Sequence, residues 1–332
     1  MSNVNYPLPL TRLNPFYPGQ MGVPGGWTET GLRQHCTGTV FYVDPNYPGA
    51  ATGADGTDPT NPLPTITEAL TKVQPQRGDV IAVMANDGWQ YAPGGQGVST
   101  DYATVISEDV VIPYTCSGVR IVGISNGPLG VVWIPATDAG WCITVHAVDV
   151  IIEGFCFDDG VRTGANGIYC EWNGITLFGE NLTVRHCYFS ESIDIGIQLE
   201  FSWYCDIHHN GFWNCDTYGI YTDPVGSNAA YATIHENYFY DCAVAMSLHD
   251  LDDSFIFRNY VYDTAAAGGA PGANTMIDLG TPPAAAGDGN QVFQNVLSCA
   301  LGADYNTANS PGSNPAWIQN YLLNGPSVAN PT

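Results

Sequence analysis

Basic residues are scarce in this chain. Eight Lys and Arg stand against 32 Asp and Glu, Lys72 is the single lysine, and the formal net charge is −24. A field of that sign repels nucleic acid, anionic lipid and polyuronate chains unless divalent cations bridge them, so no nucleic-acid or membrane partner is expected. Long apolar runs are missing too: none approaches the roughly 20 residues needed to cross a bilayer. The opening Met1-Ser-Asn-Val-Asn-Tyr-Pro lacks the basic and apolar regions of a signal peptide, which points to a chain made and kept in a cytoplasm until assembly or lysis. The ten cysteines include no Cys-x-x-Cys pair of the kind that seeds a zinc site, and buried free thiols are expected. Disorder is excluded by an aromatic content of 12%.

What is present is a repeat. Six units share one pattern: Ile152-Glu-Gly-Phe155-Cys-Phe157, Val184-Arg-His-Cys187-Tyr-Phe189, Ile207-His-His-Asn210-Gly-Phe212, Ile234-His-Glu-Asn237-Tyr-Phe239, Ile256-Phe-Arg-Asn259-Tyr-Val261 and Val292-Phe-Gln-Asn295-Val-Leu297. A fainter copy lies at Ile121-Val-Gly-Ile124. Counted on the fourth residue, the steps are 31, 32, 23, 27, 22 and 36 residues. Between these markers a second strand recurs, with Ile168, Ile197, Ile220 and Met246 as one inward column and Cys170, Leu199, Thr222 and Leu248 as another. Trp141, Ile143, Met276 and Asp278 are expected to extend these columns at the two ends. Two short strands per irregular period, with like residues repeating at a stacking distance of roughly 4.8 Å, predict a solenoid of parallel β-coils.

The marker asparagines Asn210, Asn237, Asn259 and Asn295 fall at a strand end. There an amide can bond its neighbours above and below and tolerate the left-handed backbone of a tight turn. The units and this asparagine ladder resemble the pectate-lyase-like right-handed parallel β-helix superfamily over residues 41–299, a fold shared by lyases, hydrolases, adhesins and phage spikes. The resemblance implies an all-β, right-handed, single-stranded parallel β-helix with an N-terminal capping helix. The cap corresponds to the strand at Phe41, a helix over residues 64–73 with Ile66, Ala69, Leu70 and Val73 on one face, and the Gly78-Asp-Val-Ile strand.

Four segments are therefore expected: an extended Pro/Gly-rich arm and lead-in at 1–40, an N-terminal strand, helix and first coils at 41–116, the solenoid at 117–300, and a cap or oligomerisation tail at 301–332, where the repeat is lost. Residues 1–27 hold five prolines and four glycines and no periodic pattern, so they read as an arm lying on a neighbouring subunit or assembly. Asp44, Asp55 and Asp58 read as turn formers rather than a calcium loop. Cys215 and Cys242, each five residues past a marker, should stack one coil apart within disulfide reach.

The outward column Glu171, Glu200, Asp223 and His249, flanked by Tyr169, Gln198, Tyr221 and Ser247, is the candidate site. Side chains roughly 4.8 Å apart on adjacent coils could bring Glu171 and Glu200 near the separation of about 5–5.5 Å used by retaining glycosidases. Like charges that close should raise a carboxyl pKa, as a general acid requires. The competing readings are a solvated acidic stripe, calcium between carboxylates, and a neutral glycan stacked on Tyr169 and Tyr221. Polygalacturonase-like members carry Asn-Thr-Asp, Asp-Asp, Gly-His-Gly and Arg-Ile-Lys motifs. Here only Asp158-Asp159 occurs. His208 over His235 is a further outward pair that could ligate a metal, but with no carboxylate or thiolate expected beside it no metal site is assigned.

Two functions fit. The first is a non-enzymatic structural protein of a virus particle, a bacteriophage capsid-decoration, spike or fibre protein. It would form a homotrimer, anchor to capsid or tail proteins through residues 1–27, and hold host glycans without a cofactor. The alternative is a polysaccharide depolymerase, hydrolase or lyase, free or as a tailspike, with Glu171, Glu200 and Asp223 catalytic.

Overall fold

The computed structural model describes residues 37–84, 104–124, 131–171, 179–190, 192–223, 228–263, 275–279, 289–299, 316–318 and 320–322. The expected arm at 1–27 and most of the tail expected at 301–332 lie outside them. The described strands pair in parallel into three long sheets of ten, nine and seven strands and one two-stranded sheet.

One coil shows how the sequence produces this arrangement. Asp206–His208 lies in the ten-stranded sheet, Gly211–Trp213 in the nine-stranded sheet and Tyr218–Thr222 in the seven-stranded sheet. Each coil therefore has three strands, where the sequence suggested two. The marker motif is cut in two by a corner, at which His186, His209, Glu236, Arg258 and Gln294 take positive φ of 53° to 56°. The left-handed residue is thus the one before each asparagine, which corrects the expected placement. Asparagine is needed inside the corner instead.

There it is buried and fully bonded. Asn237 donates through Nδ2 to the carbonyl of Ile207 (2.8 Å) and to Oδ1 of Asn259 (3.0 Å), while its own Oδ1 accepts from the backbone N–H and the amide of Asn210 (3.1 and 3.0 Å). The same bonds recur at Asn259 and Asn295. The ladder starts at the backbone N–H of Cys187, which donates to Asn210. It ends on Asn320, beyond the expected limit: Ala316–Ile318 and Tyr321–Leu322 add another coil to the two larger sheets. Trp317-Ile-Gln-Asn320 repeats the marker pattern, so the repeat is not lost at 302–332.

Inside, Phe157, Phe189, Phe212 and Phe239 stack ring on ring with centroids 4.6 to 4.9 Å apart. The columns Ile168, Ile197, Ile220, Met246 and Cys170, Leu199, Thr222, Leu248 point inward and are buried, as expected. Both ends of these columns are corrected. Ile143, not Trp141, pairs with Ile168, and Cys142, expected outside, is buried. The interior beside Trp133, Phe155 and Phe157 is already filled by rings, so Trp141 stays outside and stacks on Tyr169 at 4.9 Å. At the far end Met246 pairs with Ile277 and Ser247 with Asp278. This one-residue slip buries Ile277 and Leu279 and turns Asp278 outward, because side chains alternate between faces.

The helix is shorter than the sequence suggested, Ile66–Leu70. Thr65 caps it by accepting from the Glu68 backbone N–H, and Glu108 accepts from the N–H groups of Ile66 (3.0 Å) and Thr67 (3.1 Å). Ile66, Ala69, Leu70 and Val73 are all buried. Asp44, Asp55 and Asp58 each accept from a backbone N–H two residues on, as turn formers do.

Candidate functional site

The seven-stranded sheet positions the acidic face. Its strands Asn166–Cys170, Ile195–Leu199, Tyr218–Thr222 and Val244–Leu248 stand in register, so Tyr169, Gln198, Tyr221 and Ser247 form one outward row. Glu171, Glu200, Asp223 and His249 follow immediately after the strand ends. All eight predicted residues therefore share one face. Gln198 and Ser247 are buried within it, while the others are half-buried.

The carboxylates do not stand alone. His146, raised to this level by the shifted pairing of its strand, places Nε2 2.6 Å from Glu171 Oε1. The Tyr169 hydroxyl donates to Glu200 Oε2 on the next coil. Burial, then that hydrogen bond and the charges of Glu200 and Glu171, push the Tyr169 phenol far above its ordinary value, so it remains a donor. Tyr221 is pushed up to about 12 by burial and by the Asp223 charge beside it. At the far end His249 Nε2 meets Asp278 Oδ2 at 2.9 Å, a bond that raises the histidine above its ordinary value.

Two partners of this face went unrecognised in the sequence. His146 was assigned no column, because the strand before it was aligned two residues out, and Asp278 was placed inside. The alternation Ile277-Asp-Leu279, apolar-polar-apolar, was the available signal for Asp278. Rings are likewise partnered: one face of Tyr169 is covered by Trp141, and Tyr218 stacks on Tyr221 at 4.3 Å. Among the described residues no group of three or more His, Cys, Asp or Glu is arranged to hold a metal ion. Chemically the face offers hydrogen-bond acceptors paired with donors, a polar lining that can bind sugar hydroxyls.

The described thiols match expectation. All eight, including Cys215 and Cys242, are free and buried.

Comparison with known proteins agrees with this architecture. Residues 142–276 match the family model of the right-handed β-helix region. No curated protein sequence matches the chain. Among solved structures it is similar to the A-module of the mannuronan C-5 epimerase AlgE4 of Azotobacter vinelandii, at 12% identity and a TM-score of 0.38 over 86% of this chain and 76% of that one. It is similar also to ORF18 of Geobacillus virus E2, at 13% identity and a TM-score of 0.35 over 89% of this chain and 63% of that one. The Dettilon tailspike protein shares 13% identity, with a TM-score of 0.28 over 94% of this chain and 74% of that one. Its stacked parallel sheets, its asparagine ladder and the family match over its central coils give the chain the fold of a right-handed parallel β-helix.

Proposed function

We propose that the chain is a non-enzymatic structural protein of a virus particle, of the capsid-decoration, spike or fibre kind, whose acidic face holds a neutral glycan without cleaving it. The observation that carries the non-enzymatic part is the pairing of the carboxylates. Glu171 is engaged by His146 and Glu200 by Tyr169, so neither stands as a lone acid opposite a lone base across a sugar-sized gap. The helix Ile66–Leu70 plugs the open end of the solenoid and shields the first coils from water. Residues 1–27 are the anchor to a capsid or tail protein, and the chain works as a homotrimer. Buried, unpaired thiols suit assembly in a reducing cytoplasm.

One arrangement favours a second reading, a polysaccharide depolymerase. His146, Glu171, Tyr169 and Glu200 bring two carboxylates, an imidazole and a phenol onto adjacent coils, and those are groups that proton transfer uses. A glycan panel separates the two. Binding on an array without release of reducing ends or unsaturated sugars is the expected outcome. Cleavage by the wild type that is lost in Glu171→Gln or Glu200→Gln would move the chain to the depolymerase class.

A further inference from the structure

One corner of the solenoid breaks its own pattern. Two residues before each of six consecutive strands of the ten-stranded sheet, from Ile151–Glu153 to Gln291–Phe293, the backbone is left-handed, with φ of 46° to 70° at Asp149, Asn181, Tyr204, Tyr231, Asp253 and Gly289. Glycine takes that conformation without a steric penalty, and Asn or Asp with a small one. Tyrosine is unsuited to it, yet fills two adjacent coils. The two rings stack on each other with centroids 5.1 Å apart and planes 13° from parallel.

Packing does not account for them. Tyr204 is 55% exposed and Tyr231 47%, so neither ring is covered by the core. Two left-handed tyrosines are destabilising, and one stacked pair standing in water stabilises by less than the two corners cost. Two coils earlier the same column is closed by a hydrogen bond instead, from Asn181 Nδ2 to Asp149 Oδ1 at 2.8 Å. Stacked rings elsewhere have further partners. His235 lies between His208 and Phe257 and meets Asp206 at 3.2 Å, although the sequence suggested no carboxylate beside those histidines.

The order of the column says what the rings can hold. Backbone bonds from Asn181 to Trp203, from Tyr204 to Ala230 and from Tyr231 to Asp252 place Asn181 one coil before the pair and Asp253 one coil after it, both exposed. Each outer ring face thus has a short amide or carboxylate beside it. The face of a phenol ring carries partial negative charge that attracts the C–H edges of a sugar, while an amide and a carboxylate bond its hydroxyls. Two half-exposed rings offer roughly 200 Å². A stable protein interface needs about 800 Å² per partner, so the corner is too small to seat a second copy of the chain. The net charge of −24 disfavours an anionic sugar. Tyr204 follows Glu200 by four residues, so their Cα atoms are at most about 14 Å apart, within reach of one short oligosaccharide. We propose that Tyr204 and Tyr231 form a stacking platform for a neutral sugar, the edge subsite of a glycan that extends from the acidic face. This rests on the reading of that face as one that holds a neutral glycan.

Affinity electrophoresis of the full chain in gels containing dextran, mannan or galactomannan tests this. Retardation by at least one of these neutral polymers is expected, with affinity falling at least about fivefold in Tyr204→Asn and in Tyr231→Asn. Asparagine already serves this column at Asn181, so both variants should fold and their melting temperatures should hold or rise. Weaker binding together with undiminished stability is the result that a merely structural pair of rings would not give. Tyr221→Ala, on the acidic face, separates the two readings. Binding lost in Tyr221→Ala but kept in both corner variants would overturn the platform and leave the acidic face standing. Binding lost in the corner variants and kept in Tyr221→Ala would support the platform and remove the glycan from the acidic face. Absence of retardation by all three polymers, or melting temperatures lowered by several degrees in both corner variants, would also overturn the proposal.

Discussion

Histidine protonation is where single residues respond most to their surroundings. Burial, with the nearby His209, Arg185 and His208 adding to it, pushes His186 down to about 3, and burial pushes His208 down to about 4. A histidine whose folded value lies below its unfolded value of about 6.5 binds fewer protons when folded. Its contribution is intact above that pH and drains away as the pH falls through the window down to the folded value. Urea midpoints should therefore drop between about pH 6.5 and pH 4, and His186→Asn, compatible with the φ of 53°, should flatten that slope. An unchanged slope would place the acid lability elsewhere. His249 has the opposite sign: its raised value, caused by Asp278, adds stability that is complete below its unfolded value and lost as the pH rises through the folded one. Asp278→Asn should remove that alkaline loss. On the acidic face, Glu171→Gln trades a half-exposed pair with His146 for a neutral contact, so the change in stability should stay within about 1 kcal/mol.

At the scale of the element, the ladder and the ring stack set the cost of change. Asn237→Ala leaves the Ile207 carbonyl and the buried amide of Asn210 short of a partner, and should cost on the order of 2–4 kcal/mol in denaturant unfolding. The strands of the seven-stranded sheet explain a second column. A Cβ at Gly219 would lie 2.6 Å from the Ala245 carbonyl oxygen and 2.8 Å from the Phe239 ring, and Gly167 and Gly196 meet Phe189 and Phe212 in the same way. Ala245 follows them in the column where the ring of the next coil is replaced by Val261. Glycine is thus the counterpart of the phenylalanine stacked beside it. Gly219→Ala should destabilise by about 1–3 kcal/mol, and combining it with Phe239→Val should cost less than the sum of the two single changes. Simple additivity would show that the carbonyl, not the ring, sets the limit.

For the whole molecule, we propose a homotrimer in solution, since long parallel sheets can pack side by side around an axis and closed symmetry is the usual form of an oligomer. Light scattering giving a clean mass of 35.5 kDa would rule it out. With Glu171 and Glu200 already engaged by His146 and Tyr169, added calcium should leave the melting temperature unchanged, and a rise of several degrees would show that the acidic face binds the ion.

Much of this architecture was legible in the order of residues, and the reason is periodicity. A column of Ile207, Ile234 and Ile256, or of Asn210, Asn237, Asn259 and Asn295, repeats because each coil must present the same side chain to the same place, so spacing alone identifies the core and the ladder. The outward row from Tyr169 to Ser247 follows from the same alternation. Pairings across coils of unequal length did not follow. Which residue of the strand Trp141–Val145 lies level with Ile168, and whether Asp278 or Leu279 faces the core, depend on how bulky rings fill the first coil and how a slip of one residue reverses a strand's faces. Sequence determined the period, the core columns and the face on which the carboxylates stand. Tertiary packing alone decided that Glu171 meets His146 and that Asp278 meets His249, because those contacts join coils whose offset no local pattern encodes.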